Sequence, residues 1–177
     1  MIKSAQLSLR GEIMPNELMR LSPAGWADLR RREGAVMNYY NDAANNCTYG
    51  VGTLAHLGFC TPDELQRPVS VAQVNAQLAT KVRLTEQIVR RNVRDHELTQ
   101  GQFDALVSFA YNSGEGGSRD TFAAANSGNE RLVASNMALC IYVHPRDAQG
   151  HRLPPRRVSG LVNRRREEAA PFAQGAR

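Results

Sequence analysis

The run from Ser70 to about Arg94 constrains the fold most. Val71, Val74, Leu78, Val82, Thr85 and Val89 recur at helical period, which puts them on one face of one helix. Ser70 and Gln73 stand at capping-box spacing, so the Ser side chain accepts from the Gln73 N–H while Gln73 reaches back. About 25 residues at 1.5 Å each make a rod of roughly 37 Å, long enough to join two lobes.

The segment before it, from Ala35 to about Pro68, has another character. Asn38, Asn41, Asn45 and Asn46 form turns, and Gly50, Gly52 and Gly58 break helices. Tyr39, Tyr40, Thr48, Tyr49 and Val51 favour strands, so the spacing predicts a small, irregular antiparallel sheet. Ahead of it, Ser22 and Pro23 predict a helix start, Trp26 and Leu29 share a face, and Gly34 is a natural stop. Glu33 therefore occupies the last turn, where the helix dipole disfavours a carboxylate.

Thr99 and Gln102 form a second capping box, opening a helix lined by Phe103, Leu106, Val107 and Ala110 that is expected to end near Gly114. Further helices are expected near Asp120–Ala125, Glu130–Tyr142 and Leu161–Phe172, with a Pro-rich loop from His144 to Ser159. Residues 1–21 read as an N-terminal extension with a helical turn around Asn16–Leu21. The expected class is α+β: a β-rich lobe at about 34–68 and a larger helical lobe at about 98–175, joined by the long helix within a domain spanning 22–177.

Composition narrows the function. The chain has 177 residues, 42% hydrophobic and 22% charged, which excludes a disordered chain. Its net charge of +5 favours polyanionic partners: nucleic acid, an anionic membrane surface or acidic wall polymer. Aromatics at 6% oppose a base-stacking module, and nucleic acid is not the expected partner. No apolar run approaches the roughly 18 residues of a membrane span, and stable insertion is not expected. Lys3, Ser4, Gln6 and Ser8 break up Met1–Arg10, so a cleaved signal peptide is not expected and synthesis is read as cytoplasmic. Cys47, Cys60 and Cys140 lack the spacing of a zinc cluster. They are read either as reduced thiols or as a Cys47–Cys60 bridge formed after release.

Glu33, Asp42 and Thr48 are the candidate chemistry. A helix end followed by a hairpin can turn these side chains toward one cleft. Two acids and a hydroxyl suit glycoside hydrolysis, in which one carboxyl protonates the leaving oxygen and the other, ionised, activates water or steadies the developing positive charge.

Arg32-Glu33-Gly34, Tyr40-Asn41-Asp42 and Thr48-Tyr49-Gly50-Val51-Gly52 resemble the active-site segment of phage-type lysozymes, the muramidase endolysins, with its Glu-Gly, Tyr-x-Asp and Thr-x-Gly-x-Gly-His. Residues Leu98 to Gly114 resemble the family's helix leading to a Phe-Asn-x-Gly turn, and Gly160 to Glu168 its C-terminal Gly-Leu-x-x-Arg-Arg helix. The resemblance implies a lysozyme-like fold and cleavage of the β-1,4 bond between N-acetylmuramic acid and N-acetylglucosamine, with inversion and without metal or other cofactor. It implies Glu33 as the acid, Asp42 as the second carboxylate and Thr48 as the hydroxyl that places water. Leu54, Tyr111, Asn112 and Gly114 would line the sugar cleft, and Arg164 would support Glu33. The expected partner is peptidoglycan, met by a monomer in the periplasm or on the wall after release or secretion. Phage endolysin and secreted antibacterial effector both fit, an immunity protein being expected only for the second.

Two departures motivate an alternative, a catalytically impaired wall-binding protein on the same fold. Thr53 stands where the family has His, with His56 three residues later, and Asn45-Asn46-Cys47 replaces a Gly-rich turn. Elsewhere ordinary readings suffice. His96 is a cap or solvated, and His144 and His151 lack ligand partners. Arg30-Arg31-Arg32 is a solvated helix end. In Arg164-Arg165-Arg166, Arg164 is expected inward and the other two outward.

Overall fold

The computed structural model describes residues 14–42, 45–143 and 153–173. Helix α1 (Pro23–Glu33) leads into strands β1 (Val36–Asn41), β2 (Cys47–Gly50) and β3 (Thr53–His56), then a short α2 (Pro62–Leu65) and the long α3 (Val71–Asn92). Helices α4 (Gln100–Gly117), α5 (Arg119–Asn126) and α6 (Glu130–Leu139) follow, then β4 (Tyr142–Val143), β5 (Arg156–Arg157) and α7 (Ser159–Ala173). The two lobes joined by a long helix are those expected.

Local chemistry sets the ends. The side chains of Ser22, Ser70 and Thr99 accept from the N–H groups of Gly25, Gln73 and Gln102, and the two expected capping boxes form. Helix α3 has 22 residues and stops at Asn92, short of Arg94, because Val93 leaves helical geometry. It buries Val74, Leu78, Val82, Thr85 and Val89 of the expected stripe together with one acid, Glu86, while Val71 in its first turn is exposed. Glu86 is partnered: its Oε1 accepts the Leu21 N–H at 2.8 Å, and Arg90 lies 3.7 Å from Oε2.

Helix α4 is the core of the larger lobe. Phe103, Leu106, Val107 and Phe109 are fully buried in it, packed with Phe122, Met137 and Phe172 from other helices. Its regular helical geometry breaks at Gly114 (φ 71°, ψ 168°), where the end was expected, and a further turn carries the element on to Gly117. Helix α6 stops at Leu139, earlier than the expected Tyr142, because Tyr142 and Val143 pair with Arg157 and Arg156 as strands. That pairing places a short sheet at the edges of the expected 144–159 loop, whose residues 144–152, with His144 and His151, lie outside the described residues.

Residues 14–21 are stitched to the larger lobe. Buried Asn16 donates to the carbonyls of Val93 and His96, at 2.8 Å each, and accepts from the Leu98 N–H at 3.0 Å.

The small lobe is a three-stranded antiparallel sheet in the order β1-β2-β3. Tyr39 and Tyr49 stack across β1 and β2 with ring centroids 4.8 Å apart. Of the two readings of the thiols, the structure forms the Cys47–Cys60 disulfide, which ties β2 to the start of α2. Cys140 is free. Gly50 fixes the lobe on α3. It has φ +63°, and an added Cβ would collide with Gln77 Oε1.

Candidate active site

Helix α1 ends at Glu33 because Gly34, with φ 43°, turns the chain toward the sheet. The Glu33 side chain is 17% exposed, and Arg164 Nη1 from α7 lies 2.9 Å from its Oε1. That is ion-pair contact at angles outside hydrogen-bond geometry, so Oε1 is buried without a hydrogen bond. Arg164 is fixed from behind: its Nε donates to Glu168 Oε1 at 2.9 Å and its Nη2 to the Ser108 carbonyl at 3.0 Å.

Tyr111 on α4 and Lys81 on α3 complete this group. Lys81 Nζ lies 3.9 Å from the centroid of the Tyr111 ring. Tyr111 is buried, and its hydroxyl has no hydrogen-bond partner among the described residues. Burial, then the nearby Glu33 charge, pushes its phenol up to about 12. Burial lowers the Lys81 ammonium, with Glu33 opposing and Arg164 reinforcing.

Asp42 and Thr48 meet on the β1–β2 hairpin. Asp42 Oδ1 accepts the Asn46 N–H at 2.9 Å, and the Asp42 N–H donates to the Asn46 carbonyl at 3.0 Å. The buried Thr48 hydroxyl lies 3.3 Å from both Asp42 Oδ2 and the Asn46 carbonyl. Asn45 has φ 61°, a left-handed conformation that Asn tolerates, so it does the work of a glycine in the turn.

The structure thus brings Glu33, Tyr111 and Arg164 together on the helices, and Asp42 and Thr48 together on the hairpin. Leu54 pairs with Thr48 across β2 and β3 and is half exposed. Asn112 turns toward α7, where its Oδ1 accepts from Arg165 Nη2. It lines a cavity of about 710 Å³ with Leu139, Cys140, Tyr142, Leu161 and Arg165. Gly114 forms the break two residues on.

Two expectations about arginines are corrected. Arg165 is buried rather than outward, because Glu168 Oε2, Asn112 Oδ1 and the Cys140 carbonyl, at 3.0 Å, accept its donors. Arg32 is not solvated: it donates to Ser108 Oγ at 2.8 Å and to Glu167 at 2.6 Å. Glu168 and Lys81 were missed. The i,i+4 spacing of Arg164 and Glu168 was a visible signal, whereas nothing distinguishes Lys81 from a surface lysine.

Thr53 on β3 lines a shallow hollow with Gln77 and Lys81 of α3. His56 pairs instead with Glu64 of α2, Nε2 to Oε2 at 3.2 Å. The Leu57 carbonyl, then Glu64, raises the His56 imidazole, while the Thr61 backbone N–H, then His56, holds Glu64 down at about 2. Cys47, His56 and Glu64 bring possible ligand atoms within 4.8 Å of one another. The Cys47 sulfur is committed to the disulfide and offers no thiolate. Among the described residues no helix is long and apolar enough to cross a membrane.

The comparisons agree with this architecture. The phage lysozyme family model matches residues 30–168. The endolysin of Bacillus phage PZA is 33% identical over 159 residues, covering 89% of this chain and 56% of that protein, so the chain spans little more than half of that relative. The SAR-endolysin of Haemophilus phage HP1 is 25% identical over 158 residues, covering 85% of this chain and 80% of the relative. Among solved structures, the endolysin from Escherichia coli O157:H7 phage FAHEc1 superposes with a TM-score of 0.70 at 27% identity, covering 90% of this chain and 96% of that one. A match over most of the chain, carrying the same two-lobed fold, shows that this protein belongs to the phage lysozyme family.

Proposed function

We propose that the chain is a muramidase that hydrolyses the β-1,4 bond between N-acetylmuramic acid and N-acetylglucosamine in peptidoglycan, acting on the cell wall as an endolysin. The observation that carries this reading is the setting of Glu33: a mostly buried carboxyl at a helix end, held by one arginine and walled by a buried tyrosine. Such a carboxyl suits a general acid for the leaving glycosidic oxygen. Asp42 is the second carboxylate, and its contact with Thr48 supports a role for that hydroxyl in placing the attacking water. Leu54 and Tyr111 line the sugar cleft from the two lobes, Gly114 shapes the turn beyond Tyr111, and Asn112 is tied to α7 by Arg165. Arg164 supports Glu33. The expected stereochemistry is inversion, read from the anomer first formed on soluble glycan.

The test measures reducing ends released from purified peptidoglycan. Wild type releases them, and Glu33→Gln loses at least about a hundredfold, the usual worth of a general acid. Equal rates for the two would end the muramidase reading.

A further inference from the structure

Glu168 has no place in the roles above, yet it is the most enclosed acid near the site. Its side chain is 0% exposed. Ser108 Oγ donates to its Oε1 at 2.6 Å, Arg164 Nε donates to the same oxygen at 2.9 Å, and Arg165 Nη1 donates to Oε2. Arg32 Nη1 lies 3.7 Å away. One guanidinium, that of Arg164, therefore serves two carboxylates: Glu168 through Nε and Glu33 through Nη1.

A general acid must hold a proton to act. A cation with a single carboxylate partner favours that partner's ionised form, and more strongly when the pair is shielded from water. With Glu168 removed, Glu33 would be the acid left in ion-pair contact with Arg164 among the described residues. We propose that Glu168 is a positioning residue for the hydrolysis, taking up the charge of Arg164 and Arg165 so that Glu33 is held in place without being held ionised. This rests on the muramidase reading of Glu33.

Other charges face the pair. Toward Glu33 these are Lys81 from α3 and the Tyr111 phenol from α4. Toward Glu168 they are Arg32 from α1, whose outer side is taken by Glu167, and the Cys140 thiol of α6, which feels both Arg165 and Glu168. None of these supplies a second anion to Arg164. Asp42, on the small lobe, is the other carboxylate assigned to the reaction and is engaged with its own hairpin.

The test is the pH profile of kcat/KM for release of reducing ends from peptidoglycan. Glu168→Gln keeps an oxygen and a similar shape but removes the charge, leaving Arg164 to Glu33. The alkaline limb is expected to move down by about one pH unit, the size that one nearby charge produces in a shielded site. Arg165→Gln has the opposite sign: Glu168 then leans more on Arg164, and the limb moves up. A merely structural role lowers activity at every pH without moving the limb. Unmoved limbs in both variants, or shifts in the same direction, overturn the proposal. Thermal melts check folding, and if Glu168→Gln fails to melt cooperatively the sign of the Arg165→Gln shift decides alone. Glu33→Gln is run alongside. Activity retained there removes the muramidase reading itself, whereas an inactive Glu33→Gln with unmoved limbs removes only the role of Glu168.

Discussion

Replacing Tyr111 by Phe deletes one buried atom that the fold does not use. The hydroxyl is enclosed and unpartnered, while the ring is packed in the core and touched by Lys81. A buried polar group left unpaired costs about 1–3 kcal/mol, and Phe keeps the ring and the cation contact. Tyr111→Phe is therefore expected to stabilise the chain by about 1 kcal/mol, or about 2–4 °C in Tm for a domain of this size. Calorimetry near pH 7 measures it. A second reading comes from alkaline pH. The phenol sits at about 12 in the folded chain against an ordinary 10. A group raised by folding contributes stability that is full below its unfolded value and is lost as pH climbs through the folded one. Wild type should thus lose stability between about pH 10 and 12, where unfolded Tyr ionises and folded Tyr111 does not. Phe has no such group, so the gap between the variant and wild type widens with pH. A variant that melts below wild type at pH 7, or a gap that stays constant or narrows, refutes the account of an idle hydroxyl.

Two further tests address the small lobe. Cys47 and Cys60 are 13 residues apart, and a bridge closing a loop of that size is worth about 3 kcal/mol by the chain-entropy estimate. The double Cys→Ala variant should melt about 6–12 °C lower than oxidised wild type, and reductant should bring wild type toward it; equal melting temperatures would show the bridge to be idle. Gly50→Ala meets a φ of +63° and the Gln77 side chain. The left-handed conformation alone costs about 1–2 kcal/mol, so urea unfolding should show at least that loss, and adding Gln77→Ala should recover only the part due to the clash. Full recovery would mean that the backbone carries no strain.

Elements written in local chemistry were legible. Three helix starts with a Ser or Thr cap were read from the side chains that make them, and the stripe on α3 is buried from Val74 to Val89, with Val71 at its start left exposed. Ends were less so. Helix α3 stops two residues early, where a β-branched residue leaves helical geometry, whereas the regular run of α4 breaks at Gly114 as expected. The candidate side chains were legible only as types and spacings, and Arg164 lies beside Glu33. The burial of Arg165 was not legible, since a run of three arginines looks the same whether a helix faces water or a carboxylate. Only the docking of α7 against α4 and α6 separates the outward Arg166 from the enclosed Arg165.

That docking bears on how folding and the site are linked. Glu33 ends a helix whose last turn already carries Arg30, Arg31 and Arg32, which suit the negative end of the dipole, whereas Glu33 opposes it. Among the described residues its ion pair is not made within α1. The compensation is Arg164, delivered by the last helix of the chain and held by Glu168 and the Ser108 carbonyl. Arg32 crosses in the other direction, from α1 to Ser108 on α4 and Glu167 on α7. The acid is therefore held only after the C-terminal helix has packed on the central one. A chain lacking α7 would keep the Glu33–Asp42–Thr48 motif in sequence and lose the arginine that meets Glu33, so the motif by itself does not set the surroundings of that carboxyl.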